Sequence, residues 1–182
     1  GRLPVFASVG SEARLEENYD VVVYGDSAGA VTAAISAKRQ GYNVAFVNPT
    51  RFLGGMSASG LGATDFLGKR ATFGGIASEF YDAIAAHYGK KYVRSFEPHV
   101  GQNIFKELIA DAGVSVFFDE KLDRENGVKM SGQRIDSITM LSGKTFRGKM
   151  FIDASYVGDL MAASGVSYTV GREPENKYGE SL

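Results

Sequence analysis

The residues with the clearest chemical logic are Gly25-Asp26-Ser27-Ala28-Gly29-Ala30, which follow directly on the apolar run Val21-Val22-Val23-Tyr24. A helix that begins where a buried strand ends points bare N–H groups and a positive dipole end at whatever lies there, which suits a pyrophosphate. Gly25 supplies the tight turn. Position 27 controls how closely backbone can approach phosphate, and the small Ala30 lets helix pack on strand. Ser27 crowds that approach with its Cβ but brings a hydroxyl donor. The Asp26 carboxylate repels a phosphate unless it points to solvent. Without a ligand, the same stretch is a plain strand–helix–strand crossover.

Those residues need a βαβ unit to hold them. Asp20–Tyr24 has the β-branched character of a fully buried strand. Small residues continue as a helix through Ala33, Ala34, Ile35 and Ala37 to Gly41, and Tyr42–Val47 is the second strand. The turn then has the form G-x-S-x-x-A, similar to the dinucleotide fingerprint G-x-G-x-x-G/A. Residues 48–75 form a glycine-rich, aperiodic stretch, and irregular segments of that length are usually functional. Its apolar residues Phe52, Leu53, Met56, Leu61, Phe66 and Leu67 argue for order.

Helical spacing recurs over Ile76–Tyr88 and Pro98–Ala112, the second opened by proline and ended by Gly113. Val114–Phe118 is an apolar strand. Leu122–Lys129, Arg134–Leu141 and Lys144–Arg147 suggest a small antiparallel meander. Lys149–Asp153 is a further buried strand, followed by a short helix through Ala163, and Ser167–Gly171 is expected as a last strand. The fold class is therefore α/β: a Rossmann-like domain with a central parallel sheet, helices and a small antiparallel meander.

Composition narrows the chemistry. The 182 residues carry 20 basic and 21 acidic side chains, so no electrostatic footprint for nucleic acid or an anionic membrane is present. No cysteine is available for a disulfide, a thiolate metal site or dithiol redox chemistry. The 23 glycines gather at turns without a repeat period, as expected of binding loops built from backbone. No apolar run is long enough to span a bilayer. With Gly1 and no methionine at the start, a trimmed chain is expected. The expectation is a soluble protein, cytoplasmic or periplasmic after loss of an unseen signal peptide, with homo-oligomerisation left open.

Four features in order resemble the FAD-dependent oxidoreductases of the glutathione reductase/fumarate reductase type, and more closely a family of FAD-dependent oxidoreductases with a G-G-M loop. They are the Gly25 turn, Leu53-Gly54-Gly55-Met56, Gly74-Gly75-Ile76 and Phe151-Ile152-Asp153-Ala154-Ser155. The resemblance covers about residues 20–172. It implies an N-terminal extension over 1–18, an FAD-binding domain over 19–172, and in 173–182 the start of a missing substrate-domain or linker segment.

Position by position, the resemblance implies that Gly25, Ser27 and Ala28 sit on the FAD pyrophosphate. Asn48 stands where the family has an acid gripping the adenosine ribose. Thr50, Arg51, Gly54, Gly55 and Met56 wrap the diphosphate and lead toward the flavin. Residues after Val114–Phe118 flank the adenine, Ala154 and Ser155 bring a second small-residue turn close to the cofactor, and Asp159 is either the cap of the following helix or a ribityl contact. Ser27, Asn48 and Tyr156 depart from the family pattern. The family's later segment that returns to the flavin has no counterpart in these 182 residues. The expectation is that the full-length protein is the enzyme, whereas this chain alone is inactive and binds FAD weakly or not at all.

No catalytic acid or base is assigned, and the substrate is not legible. His87 and His99 lack carboxylate partners at metal spacing, so no metal site is expected. Thr64 and Asp65 fall either near the flavin face or in a turn. Two rivals remain at this point: an NAD(P)-dependent dehydrogenase built on the same βαβ unit, and a degenerate Rossmann module that serves interaction without activity.

Overall fold

Asn18–Tyr24 forms β1, and its valines explain its place at the centre of the sheet. Val21 and Val23 join the core on one face, while Val22 and Tyr24 join the core on the other. A strand buried on both faces needs this continuous apolar run. The computed structural model describes residues 18–61, 63 and 72–179.

Helix α1, Ala28–Arg39, follows β1 after the Gly25 turn and buries Ala30, Val31, Ala34, Ile35 and Ala37. β2, Val44–Val47, returns parallel to β1 with all four residues buried. Helix α2, Gly75–His87, packs on α3, Pro98–Ala112, through Phe80 stacked 4.1 Å from Phe105. Proline at the first turn and the left-handed Gly113 (φ 68°) bound α3 as the sequence predicts. β3, Ser115–Phe117, then pairs parallel to β2.

The remaining strands are β4, Val128–Ser131; β5, Arg134–Thr139; and β6, Thr145–Asp153. All six strands form one sheet in the order β3-β2-β1-β6-β5-β4. The third meander strand and the following parallel strand, expected as separate elements, are the single nine-residue β6. Its first residues pair antiparallel to β5, and from Arg147 onward it runs parallel beside β1. Gly148, which reads as a break in the sequence, lies mid-strand. A Cβ there would stand 2.8 Å from Val22 Cγ2, so the bare backbone lets β6 pass close to the central valine. The meander is thus the antiparallel end of the main sheet.

Helix α4 spans Asp159–Ala163. Ser167–Gly171, expected as a strand, is irregular and exposed, and the tail holds only a short 3-10 turn at Glu175–Lys177. Alternation alone could not supply it with a neighbour to pair with. No helix among the described residues is long and apolar enough to cross a membrane.

An ion pair fastens β1 to β6 at the surface: Lys149 Nζ lies 2.7 Å from Asp20 Oδ1. The lysine hydrogen bond, with a second from the Asn43 amide, holds Asp20 below the usual carboxylate range, and the same contact raises Lys149. This stabilisation is present above the unfolded carboxylate pKa, about 4, and below the unfolded lysine pKa, about 10. It disappears as pH falls through the depressed Asp20 value or rises through the elevated Lys149 value. A Lys149→Met variant should therefore melt below the parent at pH 7, and the difference should close in thermal scans taken near pH 2.

Candidate cofactor-binding site

Three glycine-rich corners meet at the ends of β1, β2 and β6. Gly25 has φ 141°, and a Cβ on it would lie 2.4 Å from the carbonyl carbon and oxygen of Ala154. The turn after β1 therefore rests directly on the turn after β6. Two backbone bonds complete the junction: Gly25 N–H donates to Val47 O at 3.1 Å, and Ala154 N–H to Tyr24 O at 2.8 Å. Ser27 braces it. Its hydroxyl donates to Ala154 O at 2.6 Å and accepts from Ala30 N–H at 3.2 Å, so the residue is helix cap and strut together.

The loop after β2 is organised by Asn48, whose side chain is fully buried. Its oxygen accepts from the N–H of Thr50 at 2.8 Å and from the Thr50 hydroxyl at 3.2 Å. Its amide nitrogen donates to Phe52 O at 2.8 Å. The Asn48 side chain thus spends both its oxygen and its nitrogen on shaping the loop. Backbone bonds from Asp119 N–H to Thr50 O (3.2 Å) and from Glu120 N–H to Asn48 O (3.0 Å) bring the residues after β3 alongside. Asp119 adopts the left-handed conformation there (φ 57°), as aspartate can. Arg51 and Phe52 are exposed at the loop tip.

Gly54 and Gly55 are both left-handed, at φ 83° and 50°. A Cβ on Gly54 would strike the Phe105 ring of α3, and one on Gly55 would strike Tyr156. Contacts within the chain itself therefore demand glycine at both positions. Tyr156 lies over the loop, with its Oη accepting from Met56 N–H at 2.8 Å. From beneath, Gln102 of α3 holds Leu53 through both its N–H and its C=O. Nothing in the local sequence around Gln102 signals this role.

Around the third corner, Asp153 accepts from the Ser155 amide at 2.9 Å, from the Ser155 hydroxyl at 2.7 Å and from Met161 N–H at 2.8 Å. Asp159 was one expected cap for α4. The N-cap position belongs instead to Gly158, the carboxylate that satisfies the first turn comes from Asp153, and Asp159 pairs with Arg124 at 3.1 Å. Tyr24 is buried beside these carboxylates. Desolvation chiefly, then Asp159, Asp153 and Asp26, push its phenol above its ordinary range, against a Leu122 N–H bond that pulls it down. It remains a neutral phenol at physiological pH and is no base.

His87 and His99 are exposed, and the described residues hold no cluster able to bind a metal ion. Thr64 and Asp65 lie outside the described residues.

What the arrangement offers a ligand is backbone. The first-turn amides of Ala28 and Gly29 donate to no described residue, and both are at least partly exposed at the positive end of a twelve-residue helix. No side chain larger than alanine stands at 25, 28, 29, 54, 55 or 154. This donor set fits the diphosphate of a dinucleotide cofactor such as FAD. The hydroxyls of Ser27 and Thr50 and the amide of Asn48 are already committed to the protein.

A mixed sheet whose parallel part carries a glycine turn, a capped helix and two further small-residue loops at one end defines a Rossmann-like dinucleotide-binding domain. The chain belongs to the FAD dependent oxidoreductase family, whose model matches residues 20–182. It is the FAD-binding portion of a member of that family, and FAD is its cofactor. Among solved structures it is similar to L-proline dehydrogenase from P. horikoshii, with TM-score 0.62 and 13% identity over 86% of this chain and 58% of that one. It is similar also to a flavoprotein/dehydrogenase from Cytophaga hutchinsonii (TM-score 0.56, 20% identity, 86% of this chain and 44% of that one). A third is the bacillithiol disulfide reductase Bdr from Staphylococcus aureus (TM-score 0.55, 12% identity, 76% and 38%). At these identities the likeness concerns the fold. The chain spans less than two thirds of each of these structures. No curated protein matches the sequence.

The contact between the corners makes Gly25 a structural requirement before any ligand binds. Gly25→Ala should cost at least about 2 kcal/mol, since the new methyl meets rigid backbone at a φ that L-residues avoid. Asn48→Ala should cost about 1–3 kcal/mol, because buried loop groups lose their partners. Urea denaturation of each variant measures both.

Proposed function

We propose that this chain carries the FAD of a flavin-dependent oxidoreductase through backbone amides, with the Ala28 and Gly29 N–H groups as its diphosphate donors. The observation that carries the proposal is this pair of unpartnered amides at the junction of the three corners. Asn48 and Thr50 shape the loop beside the adenosine half, Arg51 at its tip supplies charge toward the phosphates, and Gly54, Gly55, Ala154 and Ser155 form the small-residue wall on the flavin side. The bound isoalloxazine supplies hydride or electron transfer, while the protein binds it, orients it and sets its electrostatic surroundings. No residue described here is placed as a catalytic acid or base, and the oxidoreductase activity is assigned to the whole protein.

Proline isolates the claim. Ala28 is the first helical residue, where the N–H has no intrahelical partner and proline is well tolerated. Ser27 before it is already extended (φ −71°, ψ 166°), as a residue preceding proline must be. Ala28→Pro should therefore leave the melting temperature nearly unchanged. It should weaken FAD and ADP about tenfold, the worth of one charge-assisted hydrogen bond. Calorimetric titration of the full-length parent and variant with FAD, ADP and NAD provides the test. Unaltered FAD affinity in the variant, or NAD binding the parent more tightly than FAD, would refute the assignment.

A further inference from the structure

Gln102 is a polar side chain on the buried face of α3, among Val100, Ile104, Phe105 and Ile109, and is only 8% exposed. A buried amide is costly unless its groups are paired. All of its partners lie on the glycine loop. Oε1 accepts from Leu53 N–H at 2.9 Å, while Nε2 donates to Leu53 O at 2.6 Å and to Ala58 O at 3.2 Å, with Ser59 Oγ 3.5 Å away. The side chain thus pairs with both backbone groups of one residue, as a neighbouring strand would.

The loop needs that support. Its own backbone bonds are local, from Ser57 N–H to Gly54 O and from Ala58 N–H to Gly55 O. Two consecutive left-handed glycines give it a large conformational entropy to lose. Gln102 grips both ends, at Leu53 and Ala58, and leaves the intervening Gly54–Ser57 segment turned toward Tyr156.

We propose that Gln102 is a positioning residue for the cofactor: it fixes the arrangement of the 53–58 loop, which borders the flavin half of FAD. The inference rests on the FAD-binding reading and extends it, since Gln102 itself touches no cofactor. It assigns the adenosine and diphosphate half to α1 and the 48–52 loop, and the flavin half to the loop that Gln102 pins. Removal of the grip should then penalise FAD and spare ADP.

Gln102→Met preserves length and approximate volume while deleting both hydrogen-bonding groups. Gln102→Glu, the second variant, keeps the acceptor for Leu53 N–H and, when ionised, lacks the donor for Leu53 O and Ala58 O. Both are made in the full-length protein and titrated with FAD and with ADP at a temperature where circular dichroism shows them folded. Amide hydrogen exchange is followed at Leu53, Ser57 and Ala58, with Val22 and Phe46 as references. In Gln102→Met, FAD affinity should fall about tenfold or more, ADP affinity should stay within about twofold, and exchange should accelerate only in the loop. Gln102→Glu should show the same pattern at least as strongly, because its carboxylate faces the Leu53 and Ala58 carbonyls.

Equal losses for FAD and ADP would reveal a general structural role and overturn the inference, as would unchanged FAD affinity. Unchanged loop exchange would overturn it also. A full-length parent protein that binds neither nucleotide overturns the FAD-binding reading itself, and that outcome is separate from failure of the Gln102 role alone.

Discussion

The whole site depends on one backbone-to-backbone contact, between the turn after β1 and the turn after β6. Gly25 has no Cβ, and the space one would fill belongs to the Ala154 carbonyl. The contact can form because β6 runs parallel beside β1 along its full length, from Asn18↔Arg147 to Tyr24↔Asp153. Once those strands are paired in that register, their two turns arrive together, and the Ser27 hydroxyl locks them by donating to the same carbonyl. The free amides of α1 are aimed by this junction together with the buried face of the helix.

Interlocked support of this kind changes the meaning of the glycines. Each of three small-residue positions answers first to a neighbour in the chain: Gly25 to Ala154, Gly54 to Phe105 and Gly55 to Tyr156. A pocket lined by main chain has to be held from outside, because main-chain groups cannot choose their own direction. Here the holding groups are Ser27, Asn48, Gln102, Asp153 and Tyr156, each spending its polar atoms on a loop. Their energetic worth is modest one by one, about 1 kcal/mol per hydrogen bond. Their effect is to convert several glycine-rich loops into one surface with fixed donors.

The βαβ unit and α3 were legible because their signals are local. A valine run, a small-residue helix and a proline–glycine bracket all act within a few residues of themselves. The family resemblance was legible for the same reason, through four short motifs. What escaped was non-local. Gly148 looks like a strand break until Val22 is placed across from it, and then it is the residue that keeps β6 continuous. Ser167–Gly171 alternates as a strand should, yet no described strand lies beside it. Asn48 invites a ribose by its place at the end of β2, whereas its burial and its contacts with Thr50 and Phe52 turn it inward. Gln102 gave no sign at all, since its partners are 44 and 49 residues away in the chain.

The most direct test of this account maps which backbone amides respond when the cofactor is added. In a ¹⁵N-labelled sample titrated with FAD, the account predicts that the amide resonances of Ala28, Gly29 and Gly55 shift together along one saturable curve, with the α2 amides unmoved. Perturbations confined to a surface away from Gly25, Gly55 and Ala154, or independent curves for the three corners, would contradict it.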